Sequence, residues 1–394
     1  MPKDANITRG GIRKGGDRPH NERLFLDLIR NNGSMSKAEL TRATNLSAQS
    51  ATVIVNRLVD EGLLKAGKAI KGKIGQPSIP YSLNPDGAFS IGIKVGRRSL
   101  EVASMSFDYK ISQRLVRRYP FPRLDATRKE MKACVGEIFD KMTVDQRKKV
   151  VGIGITVPDD LSAWETTVGA PQGAMADWAG ADLAAEMNEA FNLPTSTLND
   201  ASAACLAEIA QGNSHQSQNF LYFYVGTFIG GGISLGGQLY TGQNNLAGAI
   251  ASLPTASVSS GVARQLLEGA SLHYLEEAAQ AEGFGQDCYY ENGQLDSSTR
   301  AVFDDWLKIA APQIAFAAVA GQAFLDTAVI IIDGSLSLEL TKDLVEAVKE
   351  CVAHNYDNRG LATIRIEVGE LGISARSVGS GILPFLSEFG LERA

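Results

Sequence analysis

The residues of this 394-residue chain with the clearest chemical role lie near its N-terminus, and they could recognise nucleic acid. Short polar side chains, those of Gln49, Ser50 and Thr52, cluster at the start of the segment SAQSATVIVNRLVDEG. At the start of a helix such side chains can hydrogen-bond base edges in the major groove. Lysines follow in KAGKAIKGKIG, where ammonium groups suit backbone phosphates. The candidate DNA-binding residues are Ser47, Gln49, Ser50, Thr52, Asn56, Arg57, Lys68, Lys71 and Lys73.

The distribution of charge favours the same region for contact with a polyanion. Residues 1–80 hold 14 Lys and Arg against 7 Asp and Glu, whereas the remaining residues hold 24 against 37. The net charge of -6 therefore hides a basic N-terminal part and an acidic remainder. Because phosphate contacts need local positive charge, we expect only the N-terminal part to meet a nucleic acid.

Three helices and a hairpin must position these residues. The segments NERLFLDLIRNNG and SKAELTRATN read as helices, and Ser36 with Glu39 forms a capping-box pattern in the second. Ser47 can cap the third helix. The apolar residues of that helix are Val53, Val55, Leu58 and Val59. Two short strands around the lysine-rich loop follow, so residues 19–85, hereafter the head, are predicted to form a winged helix-turn-helix.

A basic arm, residues 1–18, precedes the head. Its composition is rich in Gly, Arg and Lys and poor in apolar residues, so we expect it to be disordered by itself. Its cations could reach a minor groove, and they are Arg9, Arg13, Lys14 and Arg18. The alternative to DNA binding is that three small helices form an interaction domain with a solvated lysine loop.

From Phe89 onward the pattern changes to alternating strands and helices, hereafter the body. Two strand-rich segments, one beginning at FSIGIKVGRR and one at NFLYFYVGTF, are each followed by helices. This order predicts two related α/β lobes that face a ligand cleft. We place the first lobe at residues 86–200, completed by a C-terminal helix at 375–394, and the second lobe at residues 201–374.

The stretch YVGTFIGGGISLGGQLYTGQNNLAGAIAS, residues 224–252, limits the chemistry of the body. It reads as a strand, a glycine turn, a second strand and a loop, yet it contains no Asp, Glu, Lys, Arg, His or Cys. The four histidines and four scattered cysteines of the chain offer no convincing nucleophilic or metal-binding set. We therefore expect no metal and no cofactor, and the dispersed thiols fit a reducing cytoplasm.

Head and body together resemble the ROK family, which joins sugar kinases with sugar-responsive transcriptional repressors. The segments that carry the resemblance are LNDASAACLAE, GTFIGGGISLGGQLYTGQNNLAG and APQGAMADW, with GQPSIPYSLNP in the wing. The resemblance covers nearly the whole chain from about Pro19. It implies an α/β protein in which an N-terminal winged helix-turn-helix is followed by a two-lobed, actin-like sugar-kinase fold.

The resemblance also implies which residues would hold a sugar. Asn199 and Asp200 match the family's sugar-binding Asn and catalytic Asp, so Asp200 could accept a hydroxyl proton or only a hydrogen bond, and it could also cap the helix that follows. Gln172 stands where the family has a sugar-contacting Asn, although it could be a surface amide. The glycines from Gly230 keep a turn whose amides approach phosphates in the kinases, but such turns also join strands without a ligand. The candidate effector-binding residues are Gln172, Asn199, Asp200, Gly230, Gly231 and Ser252.

Departures from the family pattern argue against catalysis. The family's D-x-G-G-T loop is KVGRR at residues 94–98, which removes an acid that supports magnesium and puts a long side chain at a close-approach glycine. The family's G-E-I-G-H is GAIAS, so Ala249 replaces a sugar-binding Glu and Ser252 replaces a His that serves both sugar and zinc. Where the family has a cysteine-rich zinc element, the chain has SVSSG at residues 257–261.

Lys94, Arg97 and Arg98 could instead attract an anionic effector such as a phosphorylated sugar. The alternative is that they form a solvated basic hairpin.

We therefore expect a cytoplasmic DNA-binding regulator, most simply a repressor, whose non-catalytic body senses a sugar or sugar derivative. The expected partners are a double-stranded DNA operator, a sugar-like effector and further copies of the chain, as a homodimer or a dimer of dimers. We expect no membrane contact, since the sequence has neither an apolar run of about 18 residues nor a secretory signal. Two alternatives stay open: an ATP-dependent sugar kinase with an appended DNA-binding head, and a constitutive architectural DNA-binding protein without an effector.

Overall fold

The computed structural model describes residues 18–70, 78–159, 161–165, 169–212, 217–255, 264–290, 295–357 and 359–391. Several predictions concern residues outside these ranges, namely those for Arg9, Arg13, Lys14, Lys71, Lys73 and residues 257–261. The chain forms two compact units. The first consists of Met1–Asn199 with Ser377–Ala394, and the second of Asp200–Arg376.

The head is a winged helix within the first unit. Its helices are α1 (His20–Asn32), α2 (Lys37–Thr44) and α3 (Ala48–Asp60), and its strands are β1 (Met35–Ser36), β2 (Leu64–Ala66) and β3 (Pro80–Leu83). The strands form an antiparallel sheet in the order β1-β3-β2. The fully buried apolar residues of the helices are Phe25, Leu26, Ile29, Leu40, Ala51, Val55 and Leu58.

Hydrogen bonds at the starts of α2 and α3 confirm two predicted caps. Ser36 Oγ accepts the Glu39 backbone N–H at 3.3 Å, and the Glu39 carboxylate accepts the Ser36 N–H at 2.7 Å. The hydrogen bonds from Ser36 lower the pKa of Glu39. Ser47 Oγ accepts the Ser50 N–H at 3.0 Å. Of the apolar residues predicted for α3, Val53 does not pack in the core, because it is 55% exposed.

The first unit also contains a five-stranded sheet in the order β6-β5-β4-β7-β8. Its strands are β4 (Phe89–Val95), β5 (Ser99–Ser106), β6 (Ile111–Arg118), β7 (Val150–Val157) and β8 (Thr195–Asn199), and its helices are α4 (Leu124–Lys141), α5 (Val144–Lys148) and α6 (Leu183–Phe191). Strands β4, β5 and β6 pair antiparallel, whereas β7 and β8 join β4 in parallel. The central strand β4 is buried along its whole length, as expected for a sheet covered on both faces.

The second unit repeats this arrangement. Its elements are α7 (Asp200–Gln211), β9 (Phe220–Val225), β10 (Gly230–Leu235), β11 (Gln238–Tyr240), α8 (Leu267–Ala270), α9 (Leu272–Ala281), α10 (Ser297–Leu325), β12 (Val329–Gly334), α11 (Leu338–Asn355) and β13 (Ile366–Val368). The sheet has the order β11-β10-β9-β12-β13, with three antiparallel strands followed by two parallel ones. The two sheets therefore have the same topology, which confirms the predicted pair of related α/β lobes.

The last helix, α12 (Ala375–Phe389), starts at the end of the second unit and from Ser377 belongs to the first. It packs closely on the sheet of the first unit. Glycines at 92 and 154 leave no room for a Cβ beneath Ser380, and Ser90 Oγ donates a hydrogen bond to the Gly381 carbonyl at 2.6 Å. Small residues on both surfaces thus allow this close approach.

Helix α10 is long and apolar enough to cross a membrane, although no such run was expected from the sequence. Length and composition are the only grounds, and core helices of soluble proteins meet the same criterion. In this chain α10 contributes Phe303, Trp306 and Ile314 to the core of the second unit. Packing in the core of the second unit therefore explains the apolar character of α10.

Candidate nucleic-acid interface and effector site

Helix α3 directs a polar face away from the core of the head. Ala51, Val55 and Leu58 on its inner face are fully buried. The exposed residues on its outer side are Gln49, Ser50, Val53, Asn56 and Arg57. Thr52 is half-buried and donates its hydroxyl to the Ala48 carbonyl at 2.8 Å. The amides of Gln49 and Asn56 are the groups on this face that can best hydrogen-bond a base edge.

A buried carboxylate joins two of the predicted DNA-binding cations. The Glu22 side chain is 4% exposed and accepts hydrogen bonds from Arg18 and Arg57 at 2.8 Å each. Arg18 also pairs with Glu61 at 2.9 Å, and its guanidinium lies 5.3 Å from the ring centroid of Phe389. The assignment of Arg18 to a disordered arm is wrong, because two carboxylates and an aromatic ring hold it on the protein. The Arg57 side chain remains 55% exposed.

Two lysines, Lys37 and Lys68, add positive charge to the described part of the head. Lys37 Nζ donates to Asn56 Oδ1 at 2.8 Å. Lys37 was not predicted, although its position directly after the Ser36 cap and its charge could have identified it. Lys68 at the start of the wing is exposed. Amides that can read bases and cations that can hold phosphates therefore occur together on the head.

In the first unit, the predicted effector residues occupy a loop and the end of a strand. Gln172 is exposed. The Glu165 carboxylate orders its loop by accepting the backbone N–H groups of Gly173 and Met175 at 2.7 Å each. Asn199 is half-buried and is the last residue of the parallel strand β8. Ligands of α/β proteins usually bind at such carboxyl ends of strands.

In the second unit, Asp200 opens α7 and is paired with an arginine. Asp200 is 8% exposed, and its Oδ2 lies 3.2 Å from Nη1 of Arg376. The Arg376 guanidinium also lies 4.7 Å from the ring centroid of Tyr224. Burial would lower the pKa of Arg376, yet Tyr224 and Asp200 beside it raise that pKa above its ordinary value. A permanent positive charge therefore lies against the Asp200 carboxylate.

Arg376 was not predicted from the sequence. It is 176 residues away from its partner along the chain. The available signal is a single charged residue within ISARSVGSG, where its neighbours are small or apolar.

The glycines at 230–232 lie in a strand, so the prediction that they form a turn is wrong. Gly230 and Gly231 pair with Tyr224 and Phe223 in the antiparallel β9–β10 ladder. A Cβ on Gly230 would lie 2.7 Å from the Cβ of Ala201 in α7. The glycines thus allow α7, which begins at Asp200, to pack directly on β10. The contacts of these glycines are strand pairing with β9 and packing against α7.

A second carboxylate of this unit, that of Asp333, is buried and accepts hydrogen bonds from a hydroxyl group and from backbone N–H groups. Asp333 Oδ2 accepts the Tyr222 hydroxyl at 2.9 Å, and Oδ1 accepts the backbone N–H groups of Gly334 at 2.8 Å and Gly372 at 3.0 Å. Burial raises the pKa of Asp333 to about 6. Asp333 thereby connects β9 and β12 with the segment that precedes α12.

The basic residues proposed for an anionic effector differ in exposure. Lys94 lies in the central strand β4 and is 6% exposed, whereas Arg98 is exposed in the turn between β4 and β5 and Arg97 is half-buried. Lys94 is therefore shielded from solvent, which counts against its role as a ligand for an anion from solvent.

Ser252 ends a short 3₁₀ helix, Ile250–Ser252, and is exposed. Within the described ranges, no group of three or more His, Cys, Asp or Glu side chains has the arrangement needed to hold a metal ion. His273 pairs with Glu277 at 3.3 Å and packs against Phe228 and Tyr274, so its surroundings are those of a packing residue.

Comparison with known proteins agrees with this two-part architecture. Residues 90–383 match the ROK family, and residues 18–71 match the MarR family. Over 371 residues the chain is 27% identical to the Uncharacterized protein y4fQ of Sinorhizobium fredii, a match that spans 94% of this chain and 91% of the relative. It is 24% identical over 228 residues to the xylose repressor of Bacillus subtilis, and this match spans 58% of each protein. The chain thus covers little more than half of that repressor.

Solved structures show the same fold. A ROK family transcriptional regulator, a homologue of the E. coli MLC protein, superposes with a TM-score of 0.70 at 18% identity, covering 94% of this chain and 97% of the other. The ROK hexokinase of Thermus thermophilus superposes with a TM-score of 0.57 at 20% identity, covering 76% of this chain and 98% of the other. Because the family match extends over residues 90–383, the chain belongs to the ROK family.

Proposed function

We propose that the chain is a DNA-binding transcriptional repressor whose body senses a sugar or sugar derivative and catalyses no reaction. The observation that carries the proposal is the outward polar face of α3, on a winged helix joined to a ROK body. Gln49 and Asn56 expose amides that can read bases, and Arg57 and Lys68 add cations for phosphates. Relatives named xylose repressor and transcriptional regulator support the same function here.

The proposed partners follow from this function. An operator with two half-sites needs two heads, so we infer a homodimer or a dimer of dimers. A repressor acts where the DNA is, so we place the chain in the cytoplasm without membrane contact.

The absence of catalysis is proposed because of Asp200. A general base must be free to take a proton from the sugar hydroxyl, but Asp200 is held in an ion pair by Arg376. The KVGRR sequence at residues 94–98 also lacks the acid that the family's loop provides for magnesium. The candidate effector-binding residues remain Gln172, Asn199, Asp200, Gly230, Gly231 and Ser252, with Asp200 as a hydrogen-bond acceptor.

The DNA-binding part is tested by selecting duplexes from a random library with the full-length chain at low salt. We expect enrichment of one sequence pattern and retention of binding by a matched body variant, Lys132→Ala. A double variant, Gln49→Ala with Asn56→Ala, should lose the preference for the selected duplex over random duplex. Failure of the wild-type chain to enrich any sequence would contradict the proposal.

The sensing part is tested on the same selected duplex with a panel of sugars, sugar acids and sugar phosphates. At least one compound should change DNA affinity and raise the melting temperature of the free chain, because a ligand of the native state stabilises it. DNA binding that no compound affects would favour the architectural alternative. ATP-dependent phosphorylation of a sugar that disappears in Asp200→Ala would establish the kinase alternative instead.

A further inference from the structure

Val53 lies at the centre of the outward face of α3. At 100° per residue, Gln49, Val53 and Asn56 share one side of the helix. The buried residues Ala51 and Leu58 lie on the opposite side, fully covered by the head. Val53 itself is 55% exposed, so an apolar side chain stands between two amides where the helix faces outward.

The exposure of Val53 does not by itself indicate a function, because single apolar side chains are common on protein surfaces. The body has its own examples in Val116 and Val144, 43% and 68% exposed. Val53 differs from these two valines in its position, the middle of a helix. Valine loses side-chain freedom there and is a poorer helix former than alanine, and an exposed valine gains little packing in return. The valine therefore lowers the stability of the free head without a visible benefit.

The chemistry of the DNA bases gives a reason for a valine at this position. In the major groove an A·T pair presents the N6 and N7 groups of adenine, which an amide side chain can bond, beside the C5-methyl group of thymine, which suits an apolar side chain. Gln49 and Asn56 supply amides on either side of Val53. We propose that Val53 packs against the C5-methyl group of a thymine in each operator half-site, and that α3 thereby selects an A·T pair. This inference rests on the proposed function of the head.

The test removes single methyl groups from the DNA. Full-length chain selects its preferred duplex from a random library, and each thymine of that duplex is then replaced in turn by deoxyuridine, which lacks only the C5-methyl group. For the wild-type chain we expect one thymine per half-site whose replacement weakens binding about fourfold, the effect of burying one methyl-sized group. Val53→Ala should bind the unmodified duplex about fourfold more weakly or worse and should be insensitive to the same replacement.

Matched variants separate this effect from a loss of folding. Val116→Ala removes an exposed valine from the body and should leave both the affinity and the sensitivity to deoxyuridine unchanged. Val53→Ala should melt at the same or a higher temperature than the wild-type chain, because alanine is the better helix former. A melting temperature several degrees lower would show that Val53 supports the fold and would contradict the proposal.

The possible failures are distinct. If the wild-type chain enriches no duplex, the proposed DNA-binding function fails. If it enriches a sequence but no thymine is sensitive to loss of its methyl group, or if the sensitivity persists in Val53→Ala, the head binds DNA and the inference about Val53 is wrong.

Discussion

At the scale of single residues, Asp200 is defined by the arginine beside it. Its carboxylate corresponds by resemblance to a catalytic base, but Arg376 supplies a positive charge at 3.2 Å and is itself stacked over Tyr224. The two side chains are 12% and 13% exposed, so the charges interact with little screening by water. The carboxylate oxygens of Asp200 can act as hydrogen-bond acceptors.

The pairing predicts a stability effect. Arg376→Met leaves the Asp200 carboxylate buried without its cation, and we expect the free energy of unfolding to fall by about 3 kcal/mol in urea titrations. The double variant Arg376→Met with Asp200→Asn should recover most of this loss, because no uncompensated charge remains. Arg359→Met, which breaks the solvent-exposed pair with Asp357, is the control and should cost far less. Equal losses in the two arginine variants would contradict this account.

Asp333 predicts a dependence of stability on pH. Its pKa of about 6 in the folded chain lies above the ordinary 3.8, so the native state binds the proton more tightly than the unfolded state. The stability due to this proton is fully present below pH 3.8 and is lost as the pH rises through 6. The total is about 3 kcal/mol, of which about 1 kcal/mol is lost between pH 5 and pH 7. The free energy of unfolding of Asp333→Asn should lack this part, and identical pH profiles for both chains would disprove it.

At the scale of elements, the glycines of β10 determine how closely α7 approaches the sheet. A Cβ on Gly232 would overlap the Cys205 side chain of α7, so the helix can lie on this strand only because the side chains are missing. The same helix carries Asp200 at its first residue. The position of Asp200 therefore depends on how closely α7 packs against β10.

This contact predicts opposite effects for two glycine-to-alanine variants. Gly232→Ala should lower the free energy of unfolding by about 1–3 kcal/mol through overpacking, measured by chemical denaturation. Gly136→Ala lies in α4 with open space around the added methyl group and should raise that free energy by up to about 1 kcal/mol. If both variants behave alike, the glycines of β10 have no special packing role.

At the scale of the molecule, hydrogen bonds and a cation–π contact join the head to the first lobe within the first unit. Arg30 Nη1 donates to the Phe107 carbonyl at 2.7 Å, and its guanidinium lies 3.7 Å from the ring centroid of Tyr109. Arg23 Nη1 donates to the Gly390 carbonyl at 3.0 Å. Cations of α1 are thus used for attachment, whereas Arg57 of α3 and Lys68 at the start of the wing are exposed.

The charge of the molecule predicts a salt dependence confined to the head. Affinity for the selected duplex should fall linearly with the logarithm of the salt concentration, because bound phosphates release counterions. Lys68→Ala should reduce the magnitude of this slope by about 0.9, the contribution of one phosphate contact. Lys132→Ala removes an exposed lysine of α4 and should leave the slope unchanged. Equal slopes for wild-type and Lys68→Ala would remove the wing from the interface.

Much of the architecture could be predicted because local patterns determine it. The Ser36–Glu39 and Ser47 caps, the three helices of the head and the two strand-rich beginnings of the lobes all depend on residues a few positions apart. Two related lobes followed from the repetition of such patterns along the chain. Short-range hydrogen bonds and hydrophobic periodicity act within one element, so a reader of the sequence can recognise them.

The charge state and surroundings of the site were decided by tertiary structure. Arg376 meets Asp200 across 176 residues, the glycines at 230–232 belong to a strand under α7, and Arg18 turns back onto Glu22. The exposure of Val53 likewise depends on which side of α3 faces the rest of the head. The sequence by itself determined which residue types are present at the candidate site and the resemblance to a family. Only folding determined which distant charges pair and which faces meet solvent, because these interactions act through space between elements that local sequence does not bring together.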